Sequence, residues 1–258
     1  MNVLVCVKRV PVTGGRIILT ADGRAIDARF LGFTISPHEE CGVEEAVRLV
    51  EAQGGSSAVL TLGPDAATEQ LRDALAVGIE RAILLEVGDG EEWDAVSTAA
   101  AIVEAVRAQE AAGAPFDLIF FGTEAADTGD YQVGIRVATA LDRPIVSGVK
   151  QLAVEGGRMT ARREATGGGW EVYDVPLPAV VSVREGLNLP RYPSVPGRLR
   201  AKRQPIERIV PSQPVATGSL TMERLRLPIE QERSAEILGH GPDAAPKVVE
   251  ILRRLGAV

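Results

Sequence analysis

The sequence predicts an α/β protein: a mostly parallel sheet flanked by helices, then an antiparallel extension and a long C-terminal arm. Three observations carry this. Through the first half, short runs rich in Val, Ile and Leu alternate with segments of helical spacing. The runs are apolar on both faces, as in parallel strands covered from two sides. After Pro144 the alternation stops, and strand-like segments follow one another across Gly-rich turns, which signals antiparallel pairing.

The elements follow in order. "NVLVCV" reads as a first strand, and "IILTADGRAID" as a hairpin centred on Ala-Asp-Gly. In "PHEECGVEEAVRLV", Val43, Ala46, Val47 and Val50 share one helical face. "SAVLTLG" is a buried strand, and Leu71, Ala74 and Leu75 mark a helix that stops near Gly78. "AILLEV" is a strand, 95–112 an Ala-rich helix, and "DLIFFG" a strand. Val133, Val137, Ala140 and Leu141 mark the next helix. "PIVSGVKQLAVEGG", "RMTARREA", "WEVYDV" and "PAVVSVRE" form the extension. From Asn188 onward Pro is frequent and apolar clusters are short, so residues 1–188 are read as the α/β domain and 189–258 as an arm. The arm ends in one amphipathic helix, "DAAPKVVEILRRLGAV".

With 258 residues and a 45% apolar share, the chain has enough apolar side chains for a substantial core. No apolar run approaches the roughly 18 residues of a membrane span, and no direct membrane insertion is expected. "MNVLVCVKRV" lacks the parts of a signal peptide. Two cysteines, Cys6 and Cys41, make no disulfide framework, which points to a cytoplasmic setting. A net charge of −7 disfavours nucleic acid as a partner, although "RLRAKRQPIER" (198–208) runs against that average.

Several chemistries are excluded. His38 and His240 have no Cys or carboxylate at zinc spacing, so no metal site is expected. There is no G-x-S-x-G elbow, no Walker A motif, and no G-x-G-x-x-G after the first strand. Two strand-to-helix turns remain, "TLGPDAAT" and "FGTEAADTGDYQVG". Open α/β sheets bind ligands outside the carboxyl ends of their strands. There, backbone N–H groups and the positive end of a helix can hold a phosphate without a basic side chain. Gly122, Gly129 and Gly134 permit close backbone approach, and Thr128 and Asp130 are candidate helix caps. The three acids of that turn would face ribose hydroxyls or solvent. The same turns also read simply as tight, well-capped connections. Glu39, Glu40, Glu44 and Glu45 lie in the first turns of a helix, where its dipole favours carboxylates, so they need not be catalytic.

Taken in order, "VCVKRV", "SPHEECGVEEAVRL", "GPDAATEQLRDALAVG", "FGTEAADTGDYQVG", "LPAVVSVREGLNLPRYPSVP" and "GRLRAKRQPIE" resemble the beta subunit of electron transfer flavoprotein, up to about Val210. That resemblance implies an adenine-nucleotide α-hydrolase-like fold and a heterodimer with an alpha subunit, on which the arm packs. It implies an electron carrier, without catalytic residues of its own, between flavin dehydrogenases and an acceptor such as a quinone oxidoreductase. FAD would be held mainly by the alpha subunit and shielded by this chain, which would bury a structural AMP. The implied nucleotide pocket comprises Cys6, then Ser36, Pro37, His38 and Glu39, then Leu62 and Gly63. It continues through Gly122, Thr123, Glu124 and Ala125, then Asp127, Thr128, Gly129 and Asp130, and ends with Tyr131, Gln132, Val133 and Gly134. A recognition loop over 191–200 would grip the dehydrogenases through Arg191, Tyr192, Val195, Arg198, Leu199 and Arg200.

The family's usual Gly-Lys-Gln at the start of the fourth-strand loop is Gly-Thr-Glu here, and its Gln-Thr-Gly is Gln-Val-Gly. These changes resemble the electron-bifurcating branch, in which a second FAD replaces AMP. The 191–200 segment instead resembles the ordinary branch, and AMP is favoured. The fold is also similar to stand-alone nucleotide-binding stress proteins and to ATP pyrophosphatases. Against the latter, the position of their S-G-G-x-D-S loop reads "VKRVPVTGG". Against the former, a self-sufficient domain needs no long arm.

Overall fold

The structure is a computed structural model that describes residues 1–12, 14, 17–91, 93–212, 223–228 and 236–257. In chain order its elements are β1 (Asn2–Cys6), β2 (Val10–Pro11), β3 (Phe33–Thr34), α1 (Pro37–Gln53), β4 (Ser56–Gly63), α2 (Thr68–Val77), β5 (Arg81–Glu86), α3 (Ala95–Ala111), β6 (Leu118–Gly122) and α4 (Val133–Ala140). They continue with β7 (Ile145–Glu155), β8 (Arg158–Glu164), β9 (Trp170–Pro176), β10 (Ala179–Val183), α5 (Val195–Arg203), β11 (Glu207–Ile209) and α6 (Ala245–Arg254). One nine-stranded sheet has the order β11-β5-β4-β1-β6-β10-β7-β8-β9. Its strands run parallel from β11 to β7, and β7–β8–β9 are antiparallel. The predicted architecture is therefore the observed one: a mostly parallel α/β sheet with an antiparallel extension.

The strands form where both side-chain faces are apolar. Val3 and Val5 of β1 join Val43, Leu71, Leu75 and Phe120 in the core under α1 and α2. Leu4 and Cys6, the alternate residues, join Ile102, Val106, Ile119 and Phe121 in the core under α3 and α4. Each fully buried Val, Leu or Phe contributes about 1.5–3 kcal/mol, so the central strands anchor both layers. α1, α3 and α5 start where side chains fill the orphan N–H groups. Ser36 and Glu39 cap α1 reciprocally, with Pro37 at its first turn. Asp94 caps α3 through the N–H groups of Val96 and Ser97. α2 stops at Gly78, whose φ is 131°.

Three details depart from the expectation. First, "PAVVSVRE" is not part of the antiparallel extension: β10 inserts parallel between β6 and β7. Every residue of β10 is buried, which an extension with one wet face would not require. β7 serves both regions. It runs parallel to β10 up to Val149, and antiparallel to β8 from Val149 to Glu155.

Second, the basic stretch is no loop. Ser194 caps α5 and Pro196 sits in its first turn. α5 packs on α2, and β11 extends the sheet beside β5, so the α/β unit continues beyond residue 188. The fit is close: a Cβ on Gly197 would lie 2.3 Å from the Ala76 carbonyl oxygen. Arg72 donates to the Ala201 carbonyl, and Arg208 pairs with Glu86 at 2.8 Å.

Third, the apolar stripe of α4 turns a little. Val137 and Ala138 are buried, whereas Ala140 is exposed. The Ala-Asp-Gly segment does reverse the chain, through a single Leu19–Ile26 bridge. Most of the arm expected over 210–238 lies outside the described residues. α6 forms as expected, and none of its residues is buried.

Candidate nucleotide site

The carboxyl ends of β1, β4 and β6 open into one cavity of about 380 Å³. β1 supplies Cys6, and Lys8 follows it; β4 supplies Leu62 and Gly63; β6 supplies Phe121 and Gly122. Thr123, Glu124, Ala125, Thr128, Asp130 and Tyr131 come from the loop after β6. Val133 and Gly134, at the start of α4, complete that wall. Glu39 reaches in from α1.

Six expected residues lie outside the wall. Ser36 accepts from the Glu39 N–H at 3.3 Å, and Pro37 opens α1. The Nδ1 of His38 accepts from the Glu185 N–H at 2.7 Å, and its Nε2 lies 3.6 Å from Glu124. Asp127 pairs with Lys8 at 2.8 Å across the mouth. Gly129 has φ 64° and makes a turn back to the Ala125 carbonyl. The Oε1 of Gln132 accepts from Arg136.

The expectation that Thr128 and Asp130 cap the next helix fails. The residue before α4 is Gln132, and no side chain caps that helix. The first residues of α4, Val133, Gly134 and Ile135, line the cavity, and no side chain caps the N–H groups of that helix. α3, by contrast, is closed by Asp94, whose Oδ1 also accepts from the Ser97 hydroxyl at 2.7 Å. Of the helix starts at the cavity, those of α1 and α3 are closed by side-chain caps, and that of α4 is left open to an anion. The Oδ1 of Asp130 is buried without a hydrogen-bond partner, an acceptor suited to a hydroxyl donor.

Sequence reasoning missed one wall. The connection from β5 to α3 contributes Val87, Gly88, Gly90, Glu91, Trp93 and Asp94. The rule that selected the other two turns applies equally to this one, and a Trp just before the Asp that starts a helix was a further signal.

Burial dominates the electrostatics. It pushes the Cys6 thiol far above its ordinary value, and the Glu39 charge adds to the effect, so Cys6 is protonated and unreactive. Burial also pushes the Glu39 carboxyl up to about 8, against the opposing hydrogen bonds from Ser36 and the Lys8 N–H. Among the described residues no His, Cys, Asp or Glu cluster is arranged to hold a metal, and no helix is long and apolar enough to cross a membrane.

A second surface lies apart from the cavity. Leu189, Tyr192, Val195 and Leu199 are 84%, 95%, 72% and 57% exposed. They cluster along the segment that leads into α5 and on its outer face. Arg191 faces inward instead. Its Nε lies 2.8 Å from Glu44, and its Nη1 lies 2.7 Å from Glu51, which fastens the segment to α1.

Comparison with known proteins gives the family. The Electron transfer flavoprotein domain family matches residues 27–214. The electron transfer flavoprotein subunit beta of Bacillus subtilis is 32% identical over 260 residues, covering 98% of each chain. That of Syntrophomonas wolfei is 37% identical over 207 residues, covering 80% of this chain and 78% of its own. That of Methylophilus methylotrophus is 28% identical over 264 residues, again covering 98% of both. On the strength of the family match and of relatives this similar over 78% or more of their length, the chain belongs to the electron transfer flavoprotein family, as a beta subunit.

Proposed function

We propose that this chain pairs with an alpha subunit and shields the FAD held mainly there. In the same reading it buries one AMP in the cavity at the carboxyl ends of β1, β4 and β6. The open start of α4 is the observation that carries the AMP assignment. Backbone N–H groups at that end receive the phosphate, and the buried Oδ1 of Asp130 receives a ribose hydroxyl. Leu62, Phe121 and Trp93 supply apolar surface for the base. Ligand sites commonly span about 300–1,000 Å³. A cavity of about 380 Å³ is at the small end and favours a mononucleotide over a second FAD. The flavin supplies the redox chemistry. This chain's residues bind, orient and exclude water, and none is assigned a catalytic step.

The exposed Tyr192, Val195 and Leu199 form a docking face for flavin dehydrogenases. Arg198 and Arg200 steer the encounter, and Arg191 holds the face in place. Electrons then pass to an acceptor such as a quinone oxidoreductase, and the setting is cytoplasmic. α6, with its apolar side chains unburied, packs on the alpha subunit. Mass spectrometry of the nucleotide released when the purified heterodimer is denatured tests the reading. One AMP and one FAD per heterodimer are expected. Two FAD and no AMP would overturn the AMP assignment and support the bifurcating type.

A further inference from the structure

A groove of about 790 Å³ lies between α1, α2 and the segment 189–193. Its floor holds Gln70, which is 1% exposed. The Nε2 of Gln70 donates to the Phe33 carbonyl at 3.3 Å, and its Oε1 is buried with no partner. A buried amide oxygen without a donor is unfavourable, so it marks a place where a donor belongs. The walls are apolar, from Ile35, Val43, Ala74 and Val77. The rim carries Glu40 and Asp73, whose side chains make no hydrogen bond or ion pair among the described residues.

The rim is acidic in its effect as well as its composition. Burial, then Glu185 and Asp73, pushes the Glu40 carboxyl up. Burial, then Glu69, pushes Asp73 up, with Arg198 opposing. Glu44, the third acid, is already satisfied by Arg48 and Arg191 at 2.6 and 2.8 Å. The Arg198 side chain also lines the groove but makes no hydrogen bond or ion pair with either carboxylate among the described residues, so both carboxylates and the amide oxygen still want an N–H donor. A metal ion does not match apolar walls and so large a volume.

We propose that this groove binds a single organic cation, a guanidinium or primary ammonium group on an apolar stem. A guanidinium has donors enough for Oε1 of Gln70 and a rim carboxylate together, while its stem lies on Val43 and Val77. The exposed ring of Tyr192 at the rim offers a π face to the same charge. This site is separate from the nucleotide cavity and does not depend on what that cavity holds.

Calorimetric titration of the full chain, co-purified with its alpha subunit, tests the proposal with two probes. These are n-butylguanidinium and N-acetylarginine amide. Saturable binding is expected, weakened about fivefold by combined Glu40→Gln and Asp73→Asn, two substitutions at exposed positions that leave the fold intact. Gln70→Leu removes the orphan acceptor and weakens binding further. Binding of both probes assigns the cation to a side chain on a docked polypeptide. Binding of n-butylguanidinium alone assigns it to a free small-molecule cation. No saturable heat with either probe, or affinity unchanged in the Glu40/Asp73 double variant, overturns the proposal.

Discussion

The Glu39 carboxylate accepts the backbone N–H of Lys8 at 3.0 Å, and so joins the cap of α1 to the segment that leaves β1. The same carboxylate accepts the Ser36 N–H at 3.0 Å. A single buried acid thus links two walls of the cavity at the carboxyl ends of β1, β4 and β6, and its protonation has consequences for stability.

Burial holds the Glu39 carboxyl at about 8 in the folded protein, above its value of 4.5 in an open chain. Between these values the folded state keeps a proton that the unfolded state has lost. Stability therefore falls as pH rises through that window. In Glu39→Gln this slope disappears. The variant is also less stable at pH 5, by about 1–3 kcal/mol, because its amide NH₂ turns toward one of the two N–H donors. Thermal melts across pH 5–8 check both effects. A wild-type slope no steeper than the variant's would rule out the raised Glu39.

Gly129→Val strains the backbone of the loop after β6. Gly129 has φ 64°, and a Cβ there meets no atom within 4 Å, so the whole cost is conformational. That cost is on the order of 1–2 kcal/mol. Bound nucleotide is expected to drop, as measured by mass spectrometry, while the melting curve stays cooperative. Gly129→Asn, which tolerates this conformation better, recovers part of the occupancy. Equal occupancy in the Val variant removes the loop from the site.

Val195→Ala trims a side chain that is 72% exposed, so the folded state loses little. Electron transfer from dehydrogenases should slow, with FAD content and heterodimer stability close to unchanged. Unaltered transfer kinetics, or a heterodimer that dissociates, would exclude the docking role.

Arg191→Ala acts differently, because its guanidinium lies on the buried Glu44 carboxylate. Burial alone would raise Glu44, but hydrogen bonds from Arg191 and Arg48 outweigh it and hold the group below its ordinary value. Removing the Arg191 side chain leaves Arg48 and the backbone N–H of residue 191, which donates to Glu44 at 3.1 Å. The expected loss is about 1–3 kcal/mol, less than for a fully buried pair because Arg191 is partly wet. Arg191→Lys restores only part of it, since an ammonium cannot bridge Glu44 and Glu51 as the planar fork does. A melting temperature equal to wild type in the Ala variant would show the bridge to be idle.

Gly197→Val forces a Cβ into the 2.3 Å gap before the Ala76 carbonyl, which is backbone and cannot rotate away. α5 is expected to lift from α2 at a cost of about 1–3 kcal/mol or more. Amide exchange confined to α2 and α5 would report this, and an unperturbed exchange pattern would contradict the close crossing.

The amino-acid pattern alone determined the elements whose burial is local. β1, β4, β5 and β6 are apolar on both faces, and α1 and α2 end at Gly54 and Gly78, so their existence and kind could be read directly. The loop after β6 could likewise be marked as a site, because ligands gather at carboxyl ends of parallel strands. Tertiary structure alone decided the lateral order. "PAVVSVRE" is equally apolar in a parallel centre or an antiparallel flank, and only its pairing with β6 and β7 settles which. The same holds for the walls of the cavity. Lys8, Trp93 and Asp94 meet the loop after β6 because β1 and β6 are neighbours and the connection after β5 folds over the same end of the sheet. Ser36 and His38 turn away because the α1 cap and the Glu185 N–H claim them first. Periodicity encodes which face of an element avoids water. It carries no information on which distant element covers that face, since pairing between remote strands depends on the whole chain closing its core at once.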